Sequence, residues 1–127
     1  MTGIVLALLT ALRNRASGLA TLFLLAGPLA AVAQSTPRDG QSLFVDERKG
    51  NCAACHQVPG DAQIKSISRI GPALADIKAR YPDRAKLREL IWNAGKFNAN
   101  TIMPPYGKHH ILSDFEIDTI VVYVETL

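Results

Sequence analysis

The chain has 127 residues, 48% of them hydrophobic, with a formal net charge of +3. That length allows at most one domain. Arg13 and Arg15 lie in the first 33 residues with no acid beside them, so the remainder carries only +1, and no nucleic-acid-binding patch is expected.

The N-terminal stretch reads as a targeting segment. Arg13 and Arg15 form a basic region, residues 17–30 form an apolar run, and Ala31-Val32-Ala33 supplies the small-x-small pattern before Gln34. This predicts a secretory signal, residues 1–33, cleaved after Ala33, and a mature domain of residues 34–127. The rival reading is an uncleaved anchor, but the run is short of the roughly 20 apolar residues that a span needs. A mature domain of this size needs a staple besides its hydrophobic core.

Thr36 and Pro37 read as an N-cap and first helical position. The helix is expected to reach about Lys49, with Leu43, Phe44 and Val45 inward and Gly50 as its left-handed stop.

Cys52-Ala53-Ala54-Cys55-His56 follows at once. Read as C-x-x-C-H, it is an attachment site for one c-type haem. Two thiols must each add across a vinyl group of the same porphyrin. Three positions apart on a helical turn, Cys52 and Cys55 face the same way. The two alanines do not crowd the macrocycle, and His56 comes up beneath the iron as an axial ligand. A zinc site would want further ligands at motif spacing, and there is no third cysteine. A thioredoxin-like pair would want a βαβ context, and none is visible.

Residues 57–70 read as a loop, with Ile64, Ile67 and Ile70 expected as anchors over the haem edge. Ile70-Gly71-Pro72-Ala73-Leu74 comes next. Gly71 permits close backbone approach. A carbonyl in this stretch is expected to accept the Nδ1 proton of His56, since a ligating histidine usually has such a partner; the alternative is an ordinary turn. A short helix is predicted over about 73–79, ended by Tyr81-Pro82, with Asp83 capping the next one. Leu87, Leu90, Ile91 and Ala94 fall at helical spacing, and Gly95 is the expected stop. Trp92 lies beside that stripe, where its indole N–H can reach a haem propionate or its ring can fill core.

Residues 96–112 are a loop rich in Asn, Pro and Gly. Ser113 and Glu116 form a capping box. Ile117, Ile120, Val121 and Val124 make an apolar stripe that should pack across the first helix. No strand is expected, so the predicted class is all-α.

Apart from Met1 the chain has one methionine, Met103, in Met103-Pro104-Pro105-Tyr106-Gly107. A thioether held by a stiff proline loop suits haem iron as the second axial ligand and closes the site to substrate. The alternatives are Met103 as core filler and His109 or His110 as the ligand. Asn98 and Asn100 are candidates for a hydrogen bond to the sulfur or to a propionate, or for plain turn chemistry.

Taken together, the C-x-x-C-H motif with Gly50-Asn51 before it, Ile70 to Leu74, the Met103 to Gly107 loop and Ile111 to Ile117 resemble the SoxX family. These are the monohaem subunits of SoxAX cytochrome complexes in bacterial sulfur oxidation. The resemblance covers roughly residues 39–127. It implies a small class I cytochrome c fold around one covalent haem c, with His56 and Met103 as axial ligands. It also implies a SoxA-like partner that carries the catalytic haem and couples thiosulfate to a cysteine of the SoxYZ carrier, an L-cysteine S-thiosulfotransferase type of reaction. This chain would then be a non-catalytic periplasmic subunit, passing electrons to a downstream cytochrome c. The rival readings are a free electron shuttle, and a haem sensor or small peroxidase with an open sixth position.

Overall fold

Thr36 caps the first helix, as its place before Pro37 predicts. In the computed structural model, which describes residues 34–127, α1 runs Pro37–Val45. The Thr36 hydroxyl accepts from the Asp39 amide at 3.3 Å, and the Asp39 carboxylate accepts from the Thr36 amide at 3.0 Å. The pair satisfies two N–H groups that a helix start leaves open. The expected signal segment, residues 1–33, lies outside the described residues.

The helix ends one turn before Lys49. The Asp46 carbonyl accepts from the Lys49 and Asn51 amides at 3.0 and 3.2 Å and folds the chain back. The left-handed residue in this turn is Asn51 (φ 41°) and not Gly50. Asn tolerates that conformation through its short polar side chain. The inward face of α1 is narrower than its sequence suggests: Gly40 and Phe44 are buried, Leu43 packs partly, and Val45 is 41% exposed.

A 3₁₀ turn follows at Cys52–Ala54, then α2 at Ile77–Arg80, α3 at Arg84–Trp92, a second 3₁₀ turn at Ala94–Lys96, and α4 at Asp114–Val124. Helix α2 starts later than position 73 because the Leu74 amide donates across the loop to the Gln57 carbonyl at 2.8 Å, which keeps residues 73–75 out of a helix. The Asp83 carboxylate caps α3 through the Ala85 and Lys86 amides, as expected. That helix ends at Trp92 and not at Gly95. The Trp92 carbonyl instead accepts from the Gly107 and Lys108 amides at 3.1 and 3.2 Å, tying the later loop to the helix end. No strand occurs among the described residues.

Helix α4 opens on the Ser113–Glu116 capping box. Its predicted stripe of Ile117, Ile120, Val121 and Val124 is buried, and each such side chain contributes about 1.5–3 kcal/mol. Helix α4 packs against α1 through the face that carries Thr119 and Tyr123. Gly40 marks the crossing: a Cβ there would lie 2.3 Å from the Thr119 carbonyl oxygen and 2.5 Å from the Tyr123 Cβ. Phe44 meets the Tyr123 ring edge-on at 5.5 Å. Arg88 forks to Asp114 and Asp118 at 2.8 and 2.6 Å, fixing α3 against α4.

The loop after the cysteine motif is pinned by Asp61. Its carboxylate accepts from the Tyr123 hydroxyl and the Gln63 amide, both at 2.9 Å, and from the Gln41 side-chain amide. Ile64 is buried here, but Ile67 is 92% exposed and Ile70 61%. Their i, i+3, i+6 spacing would share a face only on a helix, and this segment is not one. Burial pushes the Asp61 carboxyl up, but the hydrogen bonds from Gln63, Tyr123, Gln41 and Ile64 outweigh it and hold the group below its ordinary 3.8. A carboxyl depressed in the folded state stabilises above its unfolded pKa, and that stability is lost as pH falls through the folded value. Asp61→Asn should therefore lose stability at pH 7 and show a shallower decline below about pH 3.8 than the parent. Denaturant unfolding at pH 7 and at stepped acid pH reads both; parallel acid limbs would show that Asp61 is not the linked group.

Candidate functional site

The helices leave a cavity of about 440 Å³ between them, with Phe44 of α1, Ile77 of α2, Leu87 and Ile91 of α3, and Ile120 and Val124 of α4 in its wall. That volume and apolar lining are typical of a cofactor pocket.

Cys52 and Cys55 both face the cavity and form no disulfide. In the tight 3₁₀ turn, the Cys55 and His56 amides both donate to the Cys52 carbonyl, at 3.1 and 2.9 Å. This presents two thiols and an imidazole to one space, as the motif requires. Burial pushes the Cys52 thiol up to about 12, so it remains protonated at neutral pH.

His56 is fixed from behind. Its Nδ1–H donates to the Pro72 carbonyl at 2.8 Å, which leaves the Nε2 lone pair for a metal. Gly71 lies flat against the ring: a Cβ there would sit 2.5 to 2.8 Å from three ring atoms. The Gly71 amide donates to the Cys55 carbonyl at 2.8 Å, locking this backbone beside the motif. Within the Ile70 to Leu74 stretch, the carbonyl that takes the His56 proton is that of Pro72.

Met103 is half-buried in the cavity wall beside Pro104. Its amide donates to the Thr101 hydroxyl at 3.1 Å. His109 and His110 are exposed and stand outside the lining. Asn98 and Asn100 reach the cavity, but the Asn98 side-chain oxygen accepts from the Asn100 amide at 3.0 Å, a turn contact. Trp92 does not line the cavity. It packs against the Gly107 backbone, where a Cβ would lie only 1.9 Å from the indole Cδ1, and Lys96 sits 5.4 Å over its ring. Its ring packs partly buried against the core cluster, one of its two expected roles.

Sequence reasoning passed over Tyr106. Its ring is 7% exposed and lines the cavity, and its hydroxyl donates to the Gly50 carbonyl at 2.9 Å. This bond joins the Met103 loop to the segment that leads into Cys52. Burial, and then the Cys52 and Cys55 sulfurs, push the phenol above its ordinary value, so it stays a donor. A buried Tyr always wants a partner for its hydroxyl, and that was the available signal. Tyr106→Phe should cost about 1–2 kcal/mol by leaving the Gly50 carbonyl unpaired, read as a lower denaturant midpoint. An unchanged midpoint would mean that the loop is held by its apolar contacts alone.

The donor set fits a haem: two free thiols at attachment spacing, an imidazole with one nitrogen already held, a thioether in the same wall, and an apolar enclosure. Residues 37–127 match the cytochrome c family.

The chain belongs to the cytochrome c family.

It is an all-α electron-transfer cytochrome of the small class I fold, and its cofactor is covalently bound haem c. The chain is similar to an uncharacterized lipoprotein of Aquifex aeolicus (strain VF5), 35% identical over 77 residues, a stretch that covers 61% of this chain and 36% of that protein. The cytochrome thus spans about a third of that relative's length. Among solved structures it is similar to a chain of SoxXA from P. pantotrophus, with a TM-score of 0.65 and 24% identity, covering 74% of this chain and 82% of that one. At that identity the likeness establishes the fold.

Proposed function

We propose that this cytochrome is the electron-transfer subunit of a SoxAX-type complex, exported to the periplasm and paired with a larger SoxA-like cytochrome. In this reading the complex couples thiosulfate to a cysteine of a SoxYZ-type carrier, and this chain takes the released electrons and passes them to another cytochrome. Cys52 and Cys55 would hold the haem through thioethers, and His56 Nε2 and the Met103 sulfur would bind its iron. Bound haem c supplies an iron that changes oxidation state by one electron. The Pro72 carbonyl orients the imidazole, Gly71 lets it seat, and the apolar wall keeps water away. A haem held by one histidine and one methionine of the chain would leave no position for substrate, so the chemistry on sulfur would fall to the partner.

The observation that carries this reading is the rim. Ile70, Phe97 and Ile102 line the cavity mouth and are nonetheless 61%, 50% and 77% exposed. An apolar margin around the electron-transfer edge suits a surface that is buried in a lasting complex. A shuttle favours charge at that edge for steering and quick release. The sequence resemblance to SoxX and the fold shared with a chain of SoxXA support the same choice.

The test is gentle purification of the tagged chain from its native host, followed by haem staining and mass spectrometry. A second, larger c-type cytochrome in equal amount, with thiosulfate-dependent reduction of the pair, is the expected result. A lone monohaem protein that exchanges electrons freely would replace this reading with the shuttle.

A further inference from the structure

One exposed stretch is left unbound by the rest of the fold. It begins after Ile64, which is buried, and ends at Gly71, whose amide donates to the Cys55 carbonyl. Beyond Gly71 the backbone is braced again: Arg80 Nη1 donates to the carbonyls of Ala73 and Ala75 at 3.2 and 3.3 Å, and the Leu74 amide donates to that of Gln57. Between these anchors, residues 65–70 make no backbone–backbone hydrogen bond among the described residues. The Ser66 and Ser68 hydroxyls each accept from an amide two positions on, at 3.4 Å. Exposure alternates along the stretch. Lys65, Ile67 and Arg69 stand out in solvent, and Ser66 and Ser68 are half-buried. The two cations are uncommitted. Neither has a carboxylate partner among the described residues, whereas Lys49, Arg84, Arg88 and Lys96 each have one. Residues 62–75 contain no acid, and the carboxylate of Asp61 just before them is taken up by Gln41, Gln63 and Tyr123. The fold makes no use of an isoleucine held out between two free cations.

We propose that Lys65, Ile67 and Arg69 form a docking surface for an acidic one-electron acceptor protein. This rests on the electron-passing half of the function proposed above and needs none of its sulfur chemistry. Free cations draw an acidic face in from a distance and orient it more than they hold it. Ile67 adds one apolar contact once the faces meet, far less than a lasting interface buries. That combination suits a partner that arrives, takes one electron and leaves, whereas the apolar rim of the cavity suits one that stays. The position fits as well. Arg69 is three residues from Pro72, itself exposed, whose carbonyl holds the His56 imidazole. The docked acceptor gains one electron and the cytochrome loses one, with no bond made or broken.

The experiment uses the covalently loaded protein in its reduced form and follows its oxidation by stopped flow. One oxidant is a plant plastocyanin, an acidic blue-copper protein. The other is tris(phenanthroline)cobalt(III), a cation that gains nothing from a basic docking surface. The double variant Lys65→Ala, Arg69→Ala should be oxidised by plastocyanin about 10-fold more slowly at low ionic strength, the lower end of what electrostatic steering gives, and with a flatter salt dependence. Ile67→Ser should slow the same reaction and keep its salt dependence. Neither change should slow oxidation by the cobalt complex. The control Lys86→Ala, Lys108→Ala removes the same charge from two other exposed lysines and should stay near the parent rate. An equal loss in that control would mean that overall charge decides, and would overturn the surface. Binding is read separately by nuclear magnetic resonance. Hexacyanochromate(III), an inert paramagnetic trianion, should broaden the amide signals of residues 65–70 before any others; first broadening elsewhere would also overturn the proposal. The failure of the underlying reading looks different: a reduced parent that neither oxidant reoxidises would dispose of electron passage itself.

Discussion

Gly40→Ala is expected to lower the melting temperature by roughly 10 °C, at about 4–8 °C per kcal/mol for a domain of this size. In an isolated helix the same change would stabilise, since alanine is favoured over an interior glycine by about 1 kcal/mol. Here the added carbon would meet the Thr119 carbonyl oxygen at 2.3 Å and the Tyr123 Cβ at 2.5 Å. These are parts of a helix frame and cannot swing aside as a side-chain tip would. Parting α1 from α4 costs about 3 kcal/mol, the upper end of the overpacking range, so the clash outweighs the propensity by about 2 kcal/mol. Phe44, Ile120 and Val124 reach the cavity from these two helices, so the haem absorption should broaden in the same variant. Thermal unfolding by circular dichroism decides it: an unchanged or raised melting temperature would mean that the helices do not cross at Gly40.

Met103→Ala should change the chemistry more than the stability. A haem held by histidine alone takes up external ligands, and the methionine ligand is what raises the potential of such cytochromes. The variant should bind added imidazole or cyanide in its ferric form about 100-fold more tightly, equivalent to about 2.8 kcal/mol no longer needed to displace the thioether. Its midpoint potential should fall. His109 and His110 are exposed and lie outside the cavity wall, so neither is placed to restore the lost ligand. A spectrophotometric titration of parent and variant is sufficient. Equal affinities, with the parent already binding readily, would remove Met103 as the ligand and return the open-site reading.

What could be read from the chain alone followed local chemistry. The Cys52 to His56 spacing carries its own geometry, because five adjacent residues determine what they can hold. The caps at Thr36, Asp83 and Ser113 were legible for the same reason: each satisfies backbone groups two or three positions away. Errors arose where distant backbone decides. Gly50 was the natural left-handed residue by composition, yet the Asp46 carbonyl accepts from both Lys49 and Asn51, and this draws the turn one position further to Asn51. Ile67 was expected to anchor its loop and stands 92% exposed. Arg80 and Tyr106 were silent because their partners are carbonyls and a cavity, which no side-chain pattern records. Gly40 left a faint trace, an isolated glycine within a helical pattern, which usually has a packing reason.

The crossing of α1 and α4 also sets an order of events. All of residues 46–113 lie between these two helices in the chain, so their contact is strongly non-local and late to form. Gly40 cannot seat on Thr119 until the last helix has been made and delivered. Until then the Cys52 to His56 segment belongs to an unlocked chain, with its thiols accessible. The α1–α4 contact thus works as a late latch: the protein closes around its cofactor pocket only when Gly40 seats against Thr119 and Tyr123.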